Sequence, residues 1–342
     1  MNKKKKNNKK LSVFLWIVFL VIFTICSASA WYIWRLVREI QPSKDKDIQG
    51  IRKDYKINWS GRINVLLLGC DSRDGMYMGI RSDTIILANI DLKEKIIRVM
   101  SIPRDTRVYV PNHDTYDKIN STINPDYFSD GGLPLTLRTA ENLLKVPIKL
   151  YALMDFTAFE EVVNIVGGVR LHVEKDMYYH DPTDNTLINL KEGDQELDGD
   201  KALQYVRFRW DAQGDFARDS QGVVYGRISR QMNFVKALAK KVAENRSILR
   251  VNHIVNAIAR KFETNMDTSE MLKLGIMFKD LDPETQLKVI SFPGYGDYVD
   301  GLSYVVVQEE ELESIIQHEF LGQPLPSETP PADQEEASEE DQ

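Results

Sequence analysis

The stretch INVLLLGCDSRDGMYMGIRSDTIILANIDLKEKIIRVMSIPRDT, residues 63–106, decides the fold. It holds three apolar runs of strand length, INVLLLG (63–69), TIILANI (84–90) and IIRVMSI (96–102). LKEK between the second and third is short enough for a hairpin, and the Gly-rich CDSRDGMYMGIRSD joins the first to the second. An antiparallel meander follows. Its first strand runs up to CDSR, its second runs down from RSDT, and its third runs up to SIPRDT. That path collects Asp71, Arg73, Arg81, Asp83, Arg104 and Asp105 at one edge of the sheet.

Aspartates mixed with arginines at one rim point to a specific chemistry. Mg²⁺ takes one or two carboxylates and completes its shell with water and phosphate oxygens. Arginines offer planar donor forks to those same oxygens. Phosphoryl transfer needs both, because its barrier falls mainly through positioning and charge stabilisation. For Asp71 and Asp83 alone, an ion-pair cluster capping the sheet edge remains an equal reading.

Further along, YVRFRW (205–210) reads as a strand, with Tyr205, Arg207 and Arg209 on one face. Two guanidinium groups side by side call for an anion, since arginine does not relieve crowding by losing its proton. YGRISRQ (225–231) then places Arg227, Arg230 and Gln231 on one face of a helix's opening turn. That helix continues through Ile228, Met232, Val235, Ala239 and Val242 at helical spacing. A helix start already favours anions, so added arginines there fit a bound phosphate; a solvated basic face is the plainer account.

The rest of the chain interleaves helix and strand signals. Helices are expected near 135–145 and 156–167, strands at 148–154, 167–173 and in LKVISFPG (287–294), and a closing helix in EEELESIIQHEF (309–320). The interleaving argues for an α/β sandwich.

Charge is segregated along the 342 residues. MNKKKKNNKK holds only basic charges, whereas QPLPSETPPADQEEASEEDQ (323–342) holds only acidic ones and reads as a disordered tail. The body between them is acidic, which counts against nucleic-acid binding and suits a small, highly charged ligand. Leu11–Trp34 is an uncharged run that as a helix would rise roughly 36 Å, enough to span a bilayer. The lysines before it set an N-terminus in the cytoplasm, and Trp31, Tyr32 and Trp34 suit the far interface. A cleaved signal peptide ending at SASA (27–30) is the alternative. Residues 35–60 read as a stalk that lifts the folded part, 61–322, off the bilayer. Cys26 lies in the expected anchor and Cys70 at a strand end, so the two do not pair and Cys70 reads as a small buried residue. There is no GxxxxGK[ST] loop, no GxSxG elbow and no histidine spacing for zinc.

Taken in order, NVLLLGCDSR, RSDTIIL, SIPRDT, DKIN (117–120), PIKLYALMDFTAFEEVVNIVGGV, LKEGDQELDGDKALQYVRFR and GRISRQ resemble the LytR-CpsA-Psr family of bacterial envelope proteins. The resemblance implies a three-layer α/β/α sandwich around a mixed central sheet, with 61–322 a catalytic domain outside the cell on the outer face of the plasma membrane. It implies a membrane-anchored phosphotransferase that moves a glycopolymer, such as a teichoic acid or capsular polysaccharide, from a polyprenyl-pyrophosphate carrier to a peptidoglycan hydroxyl. It also implies Mg²⁺ on Asp71 and Asp83, and pyrophosphate on Arg81, Arg104, Arg207, Arg209, Arg227 and Gln231. Arg230 joins that set from the helix spacing alone. Catalysis is expected of Arg104, Arg207 and Arg209, with Asp105 as a base weakened by its arginine neighbour. WDAQGDFARDSQGVVY (210–225) is longer than the family pattern, so Arg218 competes with Arg227 for its place. Helices 135–145 and 156–166 are expected to cover an apolar groove for the lipid. A hydrolase acting on the same carrier, and a non-catalytic envelope regulator, remain alternative functions.

Overall fold

The three apolar runs form strands β1 (Arg62–Cys70), β2 (Ser82–Asp91) and β3 (Ile96–Ser101), paired antiparallel in sequence order as the meander requires. The computed structural model describes residues 55–70, 81–181, 186–209, 217–218, 224–244, 248–259 and 261–323. The expected anchor, Asp71, Arg73 and nearly all of the acidic tail lie outside the described residues. Among the described residues no helix is long and apolar enough to cross a membrane.

After β3 come the hairpin β4 (Arg107–Val110) and β5 (Thr115–Lys118), helix α1 (Leu133–Leu144), strand β6 (Leu150–Asp155) and helix α2 (Phe156–Val166). Four short strands follow, β7 (Val169–Val173), β8 (Met177–Asp181), β9 (Thr186–Leu190) and β10 (Gly193–Leu197), then helix α3 (Gly199–Arg207). Strands β11 (Ala217–Arg218) and β12 (Val224–Tyr225) precede the long helix α4 (Arg227–Ala243) and helix α5 (Ile248–Ile258). The chain continues through β13 (Glu263–Thr264), α6 (Thr268–Met277), α7 (Pro283–Gln286), β14 (Leu287–Ile290), the hairpin β15 (Gly294–Val299) and β16 (Leu302–Val307), and α8 (Glu309–Ile315). A π-helical turn, Ile316–Phe320, extends α8.

Six strands make the central sheet, in the order β13-β6-β1-β2-β3-β14. β6 runs parallel to β1 and β14 parallel to β3, so the sheet is mixed. Alternation along β1 sorts its side chains between two cores. Leu66, Leu68 and Cys70 pack with α1, α8 and the π-helical turn on one face. Ile63, Val65 and Leu67 face the other way, toward Met232 and Val235 of α4 and Leu274 of α6. Helices therefore cover both faces. The end of the segment read as a stalk joins the second core: Ile57 is buried there, with Tyr55 and Trp59 packed beside it.

YVRFRW departs from its expected strand. Tyr205, Val206 and Arg207 are the last turn of α3, and Phe208 leaves the helix with extended backbone. Asp198 caps the helix start by accepting from the Lys201 amide at 3.0 Å, an arrangement that stabilises by about 1 kcal/mol. Ala202, Tyr205 and Phe208 recur every third residue and pack with Val163, Val169 and Phe234 in a third core. A six-residue alternation is too short to exclude that helical period, and the buried surface decides between them. Tyr205 thus points away from Arg207: burial and the nearby Glu174 carboxylate push its phenol up to about 12.

Candidate active site

Gly226, with φ at +99°, turns the chain into α4, and its carbonyl accepts from Arg230 N and Ser229 Oγ. The opening turn that follows is buried, and it carries Arg227 and Gln231 over the upper end of β2. Gln231 Nε2 donates to Thr84 Oγ1 at 3.2 Å, which ties helix to strand. From the meander's rim, Arg104 Nη1 donates to Asp83 Oδ1 at 2.7 Å. From the end of α3 come Arg207 and Arg209; Arg207 Nη2 donates to Thr186 Oγ1 at 3.2 Å, and its guanidinium lies 4.5 Å over the Phe156 ring.

These side chains border one cavity of about 430 Å³ between the sheet and helices α2, α3 and α4. Arg104 and Arg227 line it beside Asp83 and Gln231, and Arg207 and Arg209 line it from the end of α3. The remaining wall is apolar, with Leu67, Ile86, Phe159, Val163, Val206 and Leu238 among its residues. Asp155, the other aspartate on the wall, already caps α2 by accepting from the Ala158 amide. Four guanidinium groups on one cavity offer donor forks suited to phosphate oxygens, while the apolar wall favours hydrocarbon. Helix α2 lines this cavity as expected. Helix α1 does not: it covers the opposite face of the sheet, because its Leu137, Ala140 and Leu144 belong to the core of Leu66 and Leu68.

A cleft of about 30 Å³ shares Asp83, Arg104, Arg227 and Gln231 with the cavity and leads instead to Asp105 and Val305. Burial pulls the Asp105 carboxyl upward, but the hydrogen bond from Lys118, together with the charges of Arg104 and Lys118, outweighs it and holds the group below its ordinary value. Lys118 Nζ is 2.8 Å from Asp105 Oδ1, and Arg104 Nε 3.5 Å from Asp105 Oδ2.

Two residues of the expected pyrophosphate set stand apart from the cavity wall. Arg230 is buried, with Nε donating to Glu174 Oε1 at 2.5 Å and Nη1 to the Phe208 carbonyl at 2.7 Å, so it joins α4 to the turn after α3. Its i+3 spacing from Arg227 rotates it toward the third core. Arg81 is exposed, and donates from Nη2 to Tyr127 Oη at 2.7 Å while lying 5.5 Å over the same ring. Arg218 forms part of β11, paired to β12, and Arg227 lines the cavity. Sequence reasoning gave no role to Thr84, Thr186, Phe156 or Tyr127, since single threonines and aromatics carry no periodic signal. Lys118 did carry one, its place in DKIN, but nothing local showed that it reaches Asp105.

For a divalent metal, the donor set of the cavity includes the Asp83 carboxylate, held on one oxygen by Arg104. Among the described residues no three acidic, histidine or cysteine side chains cluster to enclose an ion. That composition suits Mg²⁺, which takes few protein carboxylates and shares phosphate oxygens with arginine.

The LytR_cpsA_psr family model matches residues 37–320. The polyisoprenyl-teichoic acid–peptidoglycan teichoic acid transferase TagU of Enterococcus faecalis is 28% identical over 324 residues, spanning 93% of this chain and 98% of its own. The crystal structure of Bacillus subtilis TagV superposes with a TM-score of 0.64 at 28% identity, covering 78% of this chain and 99% of that one. TagT bound to LI-WTA superposes with a TM-score of 0.59 at 27% identity, over 79% and 94% of the two chains. The chain belongs to the LytR-CpsA-Psr family, whose model spans most of its length, and is an enzyme of the transferase class.

Proposed function

We propose that the protein transfers an anionic glycopolymer from a polyprenyl-pyrophosphate carrier to a hydroxyl of peptidoglycan, on the outer face of the plasma membrane. The observation that carries this reading is the cavity's lining, four arginines on a wall that is otherwise largely apolar. A polyprenyl pyrophosphate pairs the same two chemistries, and each CH₂ it buries contributes about 0.8 kcal/mol.

In this reading Arg104, Arg207, Arg209 and Arg227 bind the two phosphates and stabilise the charge that builds on the transferring phosphoryl group. The acceptor hydroxyl attacks the phosphorus next to the glycan, and the bond from that phosphorus to the lipid phosphate breaks. Polyprenyl phosphate leaves and takes up the hydroxyl's proton, and a glycan–phosphate–peptidoglycan diester forms. Asp83, with Asp71, would hold Mg²⁺, which when bound neutralises phosphate charge. Asp105 stays ionised beside Lys118 and Arg104, which suits orienting the acceptor hydroxyl better than strong proton abstraction.

Full-length protein with Mg²⁺, a polyprenyl-pyrophosphate glycan and peptidoglycan fragments should yield the phosphodiester conjugate by mass spectrometry. Polyprenyl phosphate released without conjugate would replace transfer by hydrolysis. Donor binding with no turnover would replace it by a regulatory role.

A further inference from the structure

The hairpins β4–β5 and β15–β16 abut beside the small cleft. Thr106 and Val305 form a parallel bridge between them, and Val305 N donates to the Asp105 carbonyl at 2.9 Å. Thr106 and Val108 are buried, so Arg107 and Tyr109 face the opposite, outer side, while Tyr304, next to Val305, is itself buried where the hairpins meet. On β4 and β5 that side carries Arg107 paired with Lys118, and Tyr109 paired with Tyr116. Tyr109 and Tyr116 meet edge to face at 5.6 Å, and the Arg107 guanidinium lies 4.1 Å over the Tyr116 ring. Lys118 reaches across to lie 5.8 Å over Tyr304 of β16. Beyond Tyr304 the same side continues to Tyr295 and Leu302.

Large apolar groups lie open along this side: Tyr116 is 53% exposed, Tyr295 50% and Leu302 58%. Tyr109 and Tyr116 form the aromatic pair beside the cleft, and Tyr295 and Leu302 stand beyond buried Tyr304. Tyr109 and Tyr116 pack on each other and Arg107 sets positive charge over the Tyr116 ring, while Lys118 pairs with Asp105 and Asp297 stands opposite Tyr304. Flat rings interleaved with cations match a pyranose chain, whose C–H faces stack on aromatic rings, bearing carboxylates that meet the cations. The surface also begins where an acceptor must arrive. It runs from Asp105 and Lys118, on the side of Arg104 reached by the small cleft, whereas the hydrocarbon-lined cavity extends from Arg104 toward α2 and α3. In-line displacement sets the attacking and leaving oxygens on opposite sides of phosphorus.

We propose that the outer face of the two abutting hairpins, built on Tyr109, Tyr116, Arg107, Lys118, Tyr295 and Leu302, is the acceptor subsite and holds a carboxylate-bearing glycan strand of peptidoglycan. This rests on the transfer reading above and adds the surface that presents the hydroxyl to the phosphorus.

The test uses full-length protein and purified glycan strands of peptidoglycan. In Tyr116→Ala/Tyr295→Ala the acceptor KM should rise about tenfold, while kcat at saturating acceptor and donor KM stay as in the parent. Tyr116→Phe/Tyr295→Phe should restore the acceptor KM, since the ring faces carry the contact. An acceptor KM within twofold of the parent in the alanine variant overturns the proposal, as does an equal rise in donor KM. A titration of the glycan strands without donor separates the two readings. Glycan binding by the parent that is lost in the alanine variant supports the surface even where no conjugate forms. Transfer that proceeds with unchanged glycan affinity overturns the surface and leaves the transferase intact.

Discussion

Arg104 Nη1 donates to Asp83 Oδ1 at 2.7 Å, joining the end of one meander strand to the start of its neighbour. Both side chains are partly exposed, so the pair contributes little to stability. Its value lies in orientation. A carboxylate on one side holds the planar guanidinium fork on the wall of the cavity that Arg207, Arg209 and Arg227 also line.

Replacing Arg104 by alanine should lower kcat by about 10²-fold or more while leaving the melting temperature near the parent's, since the side chain stabilises transferring charge rather than the core. Conjugate formation under saturating donor, with a thermal melt alongside, reads both quantities. Near-normal turnover removes Arg104 from the mechanism.

Asp83→Asn keeps the shape and removes the charge. The Mg²⁺ concentration giving half-maximal activity should rise about tenfold or more, and chelation should silence parent and variant alike. A metal titration of initial rate is the measurement; an unshifted midpoint would place the ion elsewhere.

Arg207 and Arg230 should separate into ligand-binding and structural roles. Arg230→Met breaks the bonds to Glu174 and Phe208 and should cost about 2 kcal/mol in urea denaturation, with donor KM of the folded enzyme little changed. Arg207→Met should give the reverse, a raised donor KM with stability within about 0.5 kcal/mol of the parent. If Arg230→Met raises donor KM with stability intact, the assignment is inverted.

Asp105 has a carboxyl held below its ordinary value of 3.8. Its ionised form is favoured in the folded state, so the stability it contributes is complete above 3.8 and is lost as pH falls through the lower folded value. The same position keeps it ionised across the neutral range, so the kcat/KM profile of the parent should show no acid limb from Asp105 between about pH 5 and 8. Asp105→Asn should lower the whole profile without changing its shape there. An inflection near neutrality that disappears in Asp105→Asn would show a raised carboxyl instead.

Asp83, Arg104 and Asp105 were legible because they flank strands whose pairing follows from apolar runs and short connections. Lys118 and Tyr127 were not, since their partners Asp105 and Arg81 are reached only through tertiary packing. YVRFRW shows where local pattern stops. Its arginines do reach the cavity, but from the end of a helix rather than one face of a strand.

By itself the order of apolar runs and charged motifs determined the meander, the mixed α/β architecture and the convergence of Asp83 and Arg104, because hairpin pairing is short-range and alternation assigns each face. Only the tertiary structure decided which arginines line the cavity and which, like Arg230, are drawn into the packing. The physical reason is that a helix's rotation about its axis is set by the apolar surface it buries, and that surface is assembled from residues far apart in the chain.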